Sequence, residues 1–136
     1  MRPSSPAFSI RPVNPADAFV WEQLRCALWP DGRADHATEI ASFFAGTLDE
    51  PAAVLIAEND SHTAIALLEL SIRTDIPGLE GQRTGYVEGL YIVPEARGGN
   101  IAGQLLQESR VWARKSDCTI VATDRAERII VDRRYR

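Results

Sequence analysis

The sequence predicts a mixed α/β fold of the α+β kind, a mostly antiparallel sheet with one central strand–turn–helix–strand crossover. Two observations predict it. Apolar Ile101, Leu105 and Trp112, with Ala102, Leu106 and Ala113 beside them, form one helical stripe between the apolar runs YVEGLYIV and TIVAT. Upstream, the continuously apolar AAVLIAE ends at a polar NDS turn and is followed by TAIALLELSI, the pattern of a buried hairpin.

The other elements follow in order. FSIRPV reads as a first strand. NPADAFVWEQLRCALW reads as a helix, with Asn14 as cap and Pro15 at its first position. Phe19, Val20, Leu24, Ala27 and Leu28 fall at helical spacing within it. After the LWPDGR turn, DHATEIASFFAG predicts a second helix from a cap at Asp35 to a stop at Gly46. In TAIALLELSI, Leu68, Leu70 and Ile72 share one face, and Glu69, Ser71 and Arg73 the other. RTDIPGLEGQRTG is a polar, glycine-rich connection. In YVEGLYIV, simple alternation puts Tyr86, Glu88, Leu90 and Ile92 on one face. The helix spans Ile101 to Lys115, TIVAT is a short buried strand, and ERIIVDRRYR can add one more.

A chain of 136 residues fits one domain, residues 1–136, that can bury a core without disulfides or metals. There is no internal repeat or low-complexity tract. No apolar run approaches the length that spans a bilayer, and MRPSSPAFSI lacks the apolar centre of a secretion signal. The expectation is a cytoplasmic protein with no membrane partner. A net charge of −4 with scattered basic residues disfavours nucleic-acid binding. Cys26 and Cys118 lie far apart without Cys or His neighbours at metal-ligand spacing, so free thiols and no metal are expected.

PEARGGNIAGQLL, Pro94 to Leu106, is a polar turn that runs into a helix. The first amides of such a helix are unpaired and attract phosphate, Arg97 can add a charged contact, and Gly98 and Gly99 permit close backbone approach. An ordinary strand–turn–helix connection has the same composition. The longer stretch YVEGLYIVPEARGGNIAGQLLQESRVWA resembles the central signature of the GCN5-related N-acetyltransferases, in which a strand ends at V-P and R/Q-x-x-G-x-G/A opens the helix. That pattern falls on Arg97, Gly98, Gly99, Asn100, Ile101 and Ala102. The resemblance implies the acyl-CoA N-acyltransferase fold and binding of the pyrophosphate of acetyl-coenzyme A by these residues. Asn100 stands where the family has glycine; asparagine enters left-handed backbone conformations readily, which would preserve the turn.

Three further motifs resemble the aminoglycoside 6'-N-acetyltransferases in particular: LRCALWPD, LELSIRTD and YVEGLYIVP, spread from residue 24 to residue 94. This resemblance implies Trp29 as a wall of the aminoglycoside pocket, and Glu88 and Asp124 as carboxylates near the substrate amine. An aminoglycoside is a polycation, so acidic side chains suit it, and the attacking amine must lose a proton, which Glu88 can accept. Asp31, Asp35, Asp75 and Glu80 lie in loops that could face the same cation or solvent. Neither cysteine sits beside a histidine base, which favours direct attack on the thioester over a covalent intermediate. A main-chain amide near Leu90 would polarise the acetyl carbonyl, and the backbone at Ile92 and Val93 would pair with the pantetheine arm.

After Asp124 the resemblance breaks. VATD runs through RA to ERIIVDRRYR, as though a helix before the last strand had been excised. That helix supplies a polar group near the leaving sulfur in the family, and Tyr135 is too close to the terminus to match it. The shortened end leads to the expectation that ERIIVDRRYR pairs with a partner chain in a homodimer. Three readings stand: acetyl transfer to the 6'-amino group of an aminoglycoside, acetyl transfer to another small or protein amine, and an impaired coenzyme-binding or dimerising remnant.

Overall fold

A computed structural model describes residues 8–31 and 35–123, and the backbone of 128–130. The elements are β1 (Phe8–Pro12), α1 (Ala18–Leu28), α2 (His36–Ala45), β2 (Ala53–Asn59), β3 (Ala64–Arg73), β4 (Thr84–Ile92), α3 (Ile101–Lys115), β5 (Ile120–Thr123) and β6 (Arg128–Ile130). The strands form one sheet in the order β1-β2-β3-β4-β5-β6. All neighbours are antiparallel except β4 and β5, which α3 joins as a parallel crossover.

Local chemistry explains the helix ends. Asn14 accepts a hydrogen bond from the Ala16 amide at 3.0 Å and donates its own amide to Asp17 Oδ2 at 2.8 Å. This box opens a tight turn over Pro15–Asp17 that feeds α1. Hydrogen bonds from Arg11 hold the Asp17 carboxyl below the usual carboxylate range. α1 ends at Trp29, whose extended-side dihedrals (φ −126°, ψ 76°) lead into Pro30. Asp35 caps α2 through Thr38, and Gly46 closes it at φ 77°, the left-handed region that suits glycine.

The sheet buries both faces. On one side Ala66, Leu68, Leu70 and Val87 pack against Ile101, Leu105 and Ala113 of α3. On the other, Val54, Ile56 and Leu67 pack against Trp21 and Leu24 of α1 and Ile40 of α2. Glu69 and Ser71 lie fully buried within β3 between its apolar positions.

Two expectations are corrected. β3 and β4 shift register between Glu69↔Gly89 and Leu70↔Val87, so Glu88 is an extra residue opposite no partner. The bulge breaks the alternation: Leu90 and Ile92 pack with α3, whereas Glu88 joins Arg73 on the α1 side. Glu88 therefore does not share a face with Leu90. The last strand does not require a second chain either, because Arg128–Ile130 pairs antiparallel with β5 (Ala122↔Arg128, Val121↔Ile129, Ile120↔Ile130). An antiparallel neighbour needs only a short connection. The argument for a homodimer from this strand falls away. No helix among the described residues is long and apolar enough to cross a membrane.

Candidate active site

The bulge sets two features side by side. The first is the free edge of β4. Pairing between β4 and β5 ends at Val87↔Thr123 among the described residues, while β4 continues to Ile92 beside β3. The Val93 amide donates to the Ile65 carbonyl at 3.0 Å. Because successive residues of a strand point their amides to opposite edges, Leu90 and Ile92 present theirs away from β3, along the free edge. Arg97 Nε donates to the Ile92 carbonyl at 2.7 Å from that same edge.

This geometry sorts the residues expected to hold a coenzyme. Leu90 and Ile92 offer free-edge amides. Val93 does not, because its amide is committed to β3. Arg97 is turned back onto the strand, with its guanidinium 5.4 Å from the centre of the Tyr91 ring. The turn that follows is bare. Gly98 has φ 89°, where a side chain would strain the backbone, and a Cβ at Gly98 or Gly99 would meet nothing within 4 Å. Asn100 has φ −107° and makes no side-chain cap, so the turn does not use a left-handed asparagine; Gly98 carries the positive φ instead. The amides of Ile101 and Ala102 thus begin α3 without a side-chain cap.

The second feature is a cleft of about 480 Å³ on the opposite face, lined by Arg25, Trp29, Asp31, Glu39, Glu50, Pro51, Glu69 and Glu88. Five of these are carboxylates, and Arg25, the one lining cation among the described residues, is engaged on several sides. Its guanidinium bonds both oxygens of Glu69 at 2.7 and 2.8 Å, and Glu39 at 2.6 Å. It lies 5.4 Å from the Trp29 ring centre, and Trp29 stacks in turn on His36 at 6.3 Å. The cleft combines carboxylates with an aromatic wall, an arrangement whose chemistry suits a cation.

Glu88 lines this cleft and accepts from Arg73 Nε at 2.9 Å and Nη2 at 2.8 Å. Gly89 lies directly beneath Trp29. A Cβ there would come within 2.7 Å of Leu28 Cδ2 and 2.9 Å of the Trp29 ring. Replacing Gly89 by alanine is expected to cost about 1–3 kcal/mol of stability through this overlap. The displaced wall also raises KM for a cationic acceptor, read by steady-state kinetics beside a urea titration.

The sequence pointed to Trp29 and Glu88 here, left Asp31 between cation and solvent, and missed Glu39, Glu50 and Glu69. A charge at Glu69, between leucines in an otherwise apolar strand, was the available signal. Asp35 and Glu80 have local duties, capping α2 and receiving the Gly78 amide, and Asp75 is exposed. Asp124 and Tyr135 lie outside the described residues. Both cysteines are free, and burial pushes the Cys118 thiol up, away from a nucleophile's needs. Among the described residues no three His, Cys, Asp or Glu side chains are grouped to hold a metal ion.

The model of the acetyltransferase (GNAT) family matches residues 17–136. The chain belongs to that family. Among its GNAT relatives, an aminoglycoside N(6')-acetyltransferase type 1 of Klebsiella aerogenes is 40% identical over 116 residues, which is 85% of this chain and 76% of the relative. The solved aminoglycoside antibiotic 6'-N-acetyltransferase AAC(6')-Ih of Acinetobacter baumannii superposes with a TM-score of 0.76 at 33% identity, covering 86% of this chain and 78% of that one. AAC(6')-Iy, solved with the bisubstrate analogue CoA-S-monomethyl-acetylneamine, superposes with a TM-score of 0.75 at 29% identity over the same shares of the two chains. The GNAT fold is thus reached from the sheet topology and from the comparisons alike.

Proposed function

We propose that this chain, acting as a single N-acetyltransferase domain in the bacterial cytoplasm, transfers the acetyl group of acetyl-coenzyme A to the 6'-amino group of an aminoglycoside, which confers resistance to the antibiotic. The observation that carries the reading is the meeting, at Glu88–Leu90, of a carboxylate-lined cleft with a free strand edge. The aminoglycoside 6'-N-acetyltransferase activity of its relatives agrees with it.

The donor lies along the free edge of β4. Its extended amide arm accepts from the Ile92 amide, and the Leu90 amide points at the thioester oxygen. The bare turn from Gly98 to Ala102, with the uncapped start of α3, receives the pyrophosphate. The Ile92 carbonyl is held by Arg97, so an arm amide that needs this acceptor must displace the guanidinium. Once displaced, Arg97 is free to meet phosphate.

The acceptor lies in the cleft, its ring against Trp29 and its ammonium groups among the carboxylates. One amine gives its proton to Glu88, and its lone pair attacks the thioester carbon. The C–N bond forms, the C–S bond breaks, and the coenzyme thiolate leaves and takes up the proton that the acylated nitrogen sheds as it becomes an amide. The products are an amide and a free thiol.

Purified protein with acetyl-coenzyme A and kanamycin tests this. Thiol release should match the appearance of a singly acetylated product. An otherwise identical acceptor with a hydroxyl at the 6' position should give no turnover. Turnover of that hydroxyl analogue at a similar rate would refute the regiochemistry, and no thiol release with any aminoglycoside would refute the activity.

A further inference from the structure

Arg73 ends β3 beside the cleft, and its position differs in kind from that of Arg25. Arg25 is 4% exposed and grips both oxygens of the buried Glu69, so it is a fixed part of the wall. Arg73 is 28% exposed. Its Nε and Nη2 converge on a single oxygen of Glu88, Nη2 also reaches Glu50 Oε1 at 3.3 Å, and the Asp75 carboxylate adds a longer-range attraction. Glu50 is itself 46% exposed. The guanidinium rests 4.8 Å from the centre of the Tyr86 ring, a second cation seat close at hand. Glu50 and Glu88 both line the cleft, so Arg73 neutralises two of the groups a cationic acceptor would use.

We propose that Arg73 is a specificity-determining residue: in the free protein its guanidinium stands in for a substrate ammonium between Glu50 and Glu88, and an acceptor displaces it with a second amine. The inference rests on the reading that the cleft takes a polyammonium acceptor. A monoamine must commit its one nitrogen to the reaction and has none to trade for Arg73. A polyamine has both. Displacement costs part of the Arg73 ion pair, and the released guanidinium stays close to the Tyr86 face. Holding the cation in place also keeps two carboxylates from repelling each other while the cleft is empty.

The test is equilibrium binding by calorimetry at low salt, with kanamycin and, separately, spermidine as a linear polyammonium probe. Arg73→Ala should bind both about fivefold more tightly, the change that corresponds to about 1 kcal/mol for a part-exposed ion pair. Arg73→Lys, which restores the charge, should return binding to within about twofold of the unmodified protein. In a Glu88→Gln background the gain from Arg73→Ala should shrink below about twofold, because only Glu50, held by the longer 3.3 Å contact, is then released. A steeper salt dependence of binding in Arg73→Ala is also expected. Weaker or unchanged binding in Arg73→Ala would overturn the proposal and leave Arg73 a structural partner of Glu88. Tighter spermidine binding without kanamycin binding or turnover would sink the aminoglycoside reading while sustaining the displaceable cation. Binding of neither probe to any form refutes the inference.

Discussion

Replacing Glu88 by glutamine lowers kcat/KM for an aminoglycoside by about 100-fold or more, and changes KM for acetyl-coenzyme A by less than about twofold. The amide matches the carboxylate in size and can still accept from Arg73, so the bulge and the cleft wall survive. What it lacks is the capacity to take a proton. The acceptor arrives as an ammonium, and attack on the thioester needs the free amine. In the variant that proton must leave to bulk water, so the rate depends on the small fraction of acceptor already deprotonated. The variant's kcat/KM should therefore climb more steeply with pH than that of the unmodified enzyme, and the gap between them should narrow toward high pH. Steady-state rates across a pH series, with each substrate varied in turn, read both effects. An equal rise in KM for acetyl-coenzyme A would mean that the substitution disturbed the free edge of β4, and Glu88 would lose its role as proton acceptor. A loss in acceptor KM alone, with kcat intact, would leave Glu88 as a docking carboxylate.

The position of Glu88 also shows where the sequence stops being readable. Elements governed by neighbours in the chain were legible: Asp35 caps α2 as expected, Gly46 closes it, and Ile101–Lys115 is helical over its expected span, whereas Asn14 caps the tight turn Pro15–Asp17 that precedes α1 rather than α1 itself. Each of those depends on side chains within one helical turn of the backbone they serve. The bulge does not. Nothing in YVEGLYIV marks one residue as surplus, since surplus is defined by the opposite strand, where Glu69 faces Gly89 and Leu70 faces Val87. One unpaired residue was enough to send Leu90 and Ile92 to the α3 side and Glu88 to the cleft. Gly89 held the hint, because a residue pressed under Leu28 and Trp29 has no room for a Cβ.

The acid lining of the cleft escaped for a related reason. Glu39 comes from α2, Glu50 from the segment before β2, Glu69 from β3 and Glu88 from β4, and no spacing rule links four separate segments. Of the loop acids that could face the cation or solvent, Asp31 lines the cleft, Asp35 and Glu80 bond within their own turns, and Asp75 is exposed. Motif resemblance singled out Trp29 and Glu88, which both line the cleft, because those residues lie within short matched stretches. It was weakest on backbone chemistry: Val93 and Arg97 belong to the right motif, yet the Val93 amide is committed to β3 and Arg97 caps the Ile92 carbonyl.

Replacing Arg25 by methionine costs about 3–5 kcal/mol of folding stability, because it strips the partner from a carboxylate that has no access to water. Glu69 is 1% exposed and holds two hydrogen bonds from Arg25 and one from Trp21 Nε1 at 2.8 Å. The Trp21 bond alone cannot offset a buried negative charge. For a domain of this size the loss corresponds to a melting temperature lower by about 10–20 °C. Adding Glu69→Gln to the same protein should recover more than half of the loss. The glutamine carbonyl still accepts from Trp21, and no charge remains orphaned. That asymmetry separates a network built for stability from one kept for its position. If the double variant folds well yet binds the acceptor about tenfold more weakly, the network's contribution is to the cleft wall, where Arg25 lies against Trp29 and Trp29 against His36. Urea midpoints at unchanged slope measure the first part, and calorimetric binding of kanamycin the second. A single-variant cost below about 1 kcal/mol, or a double variant less stable than Arg25→Met, would show that Glu69 finds water or another donor when Arg25 is gone, and the closed, paired arrangement at the base of the cleft would have to be abandoned.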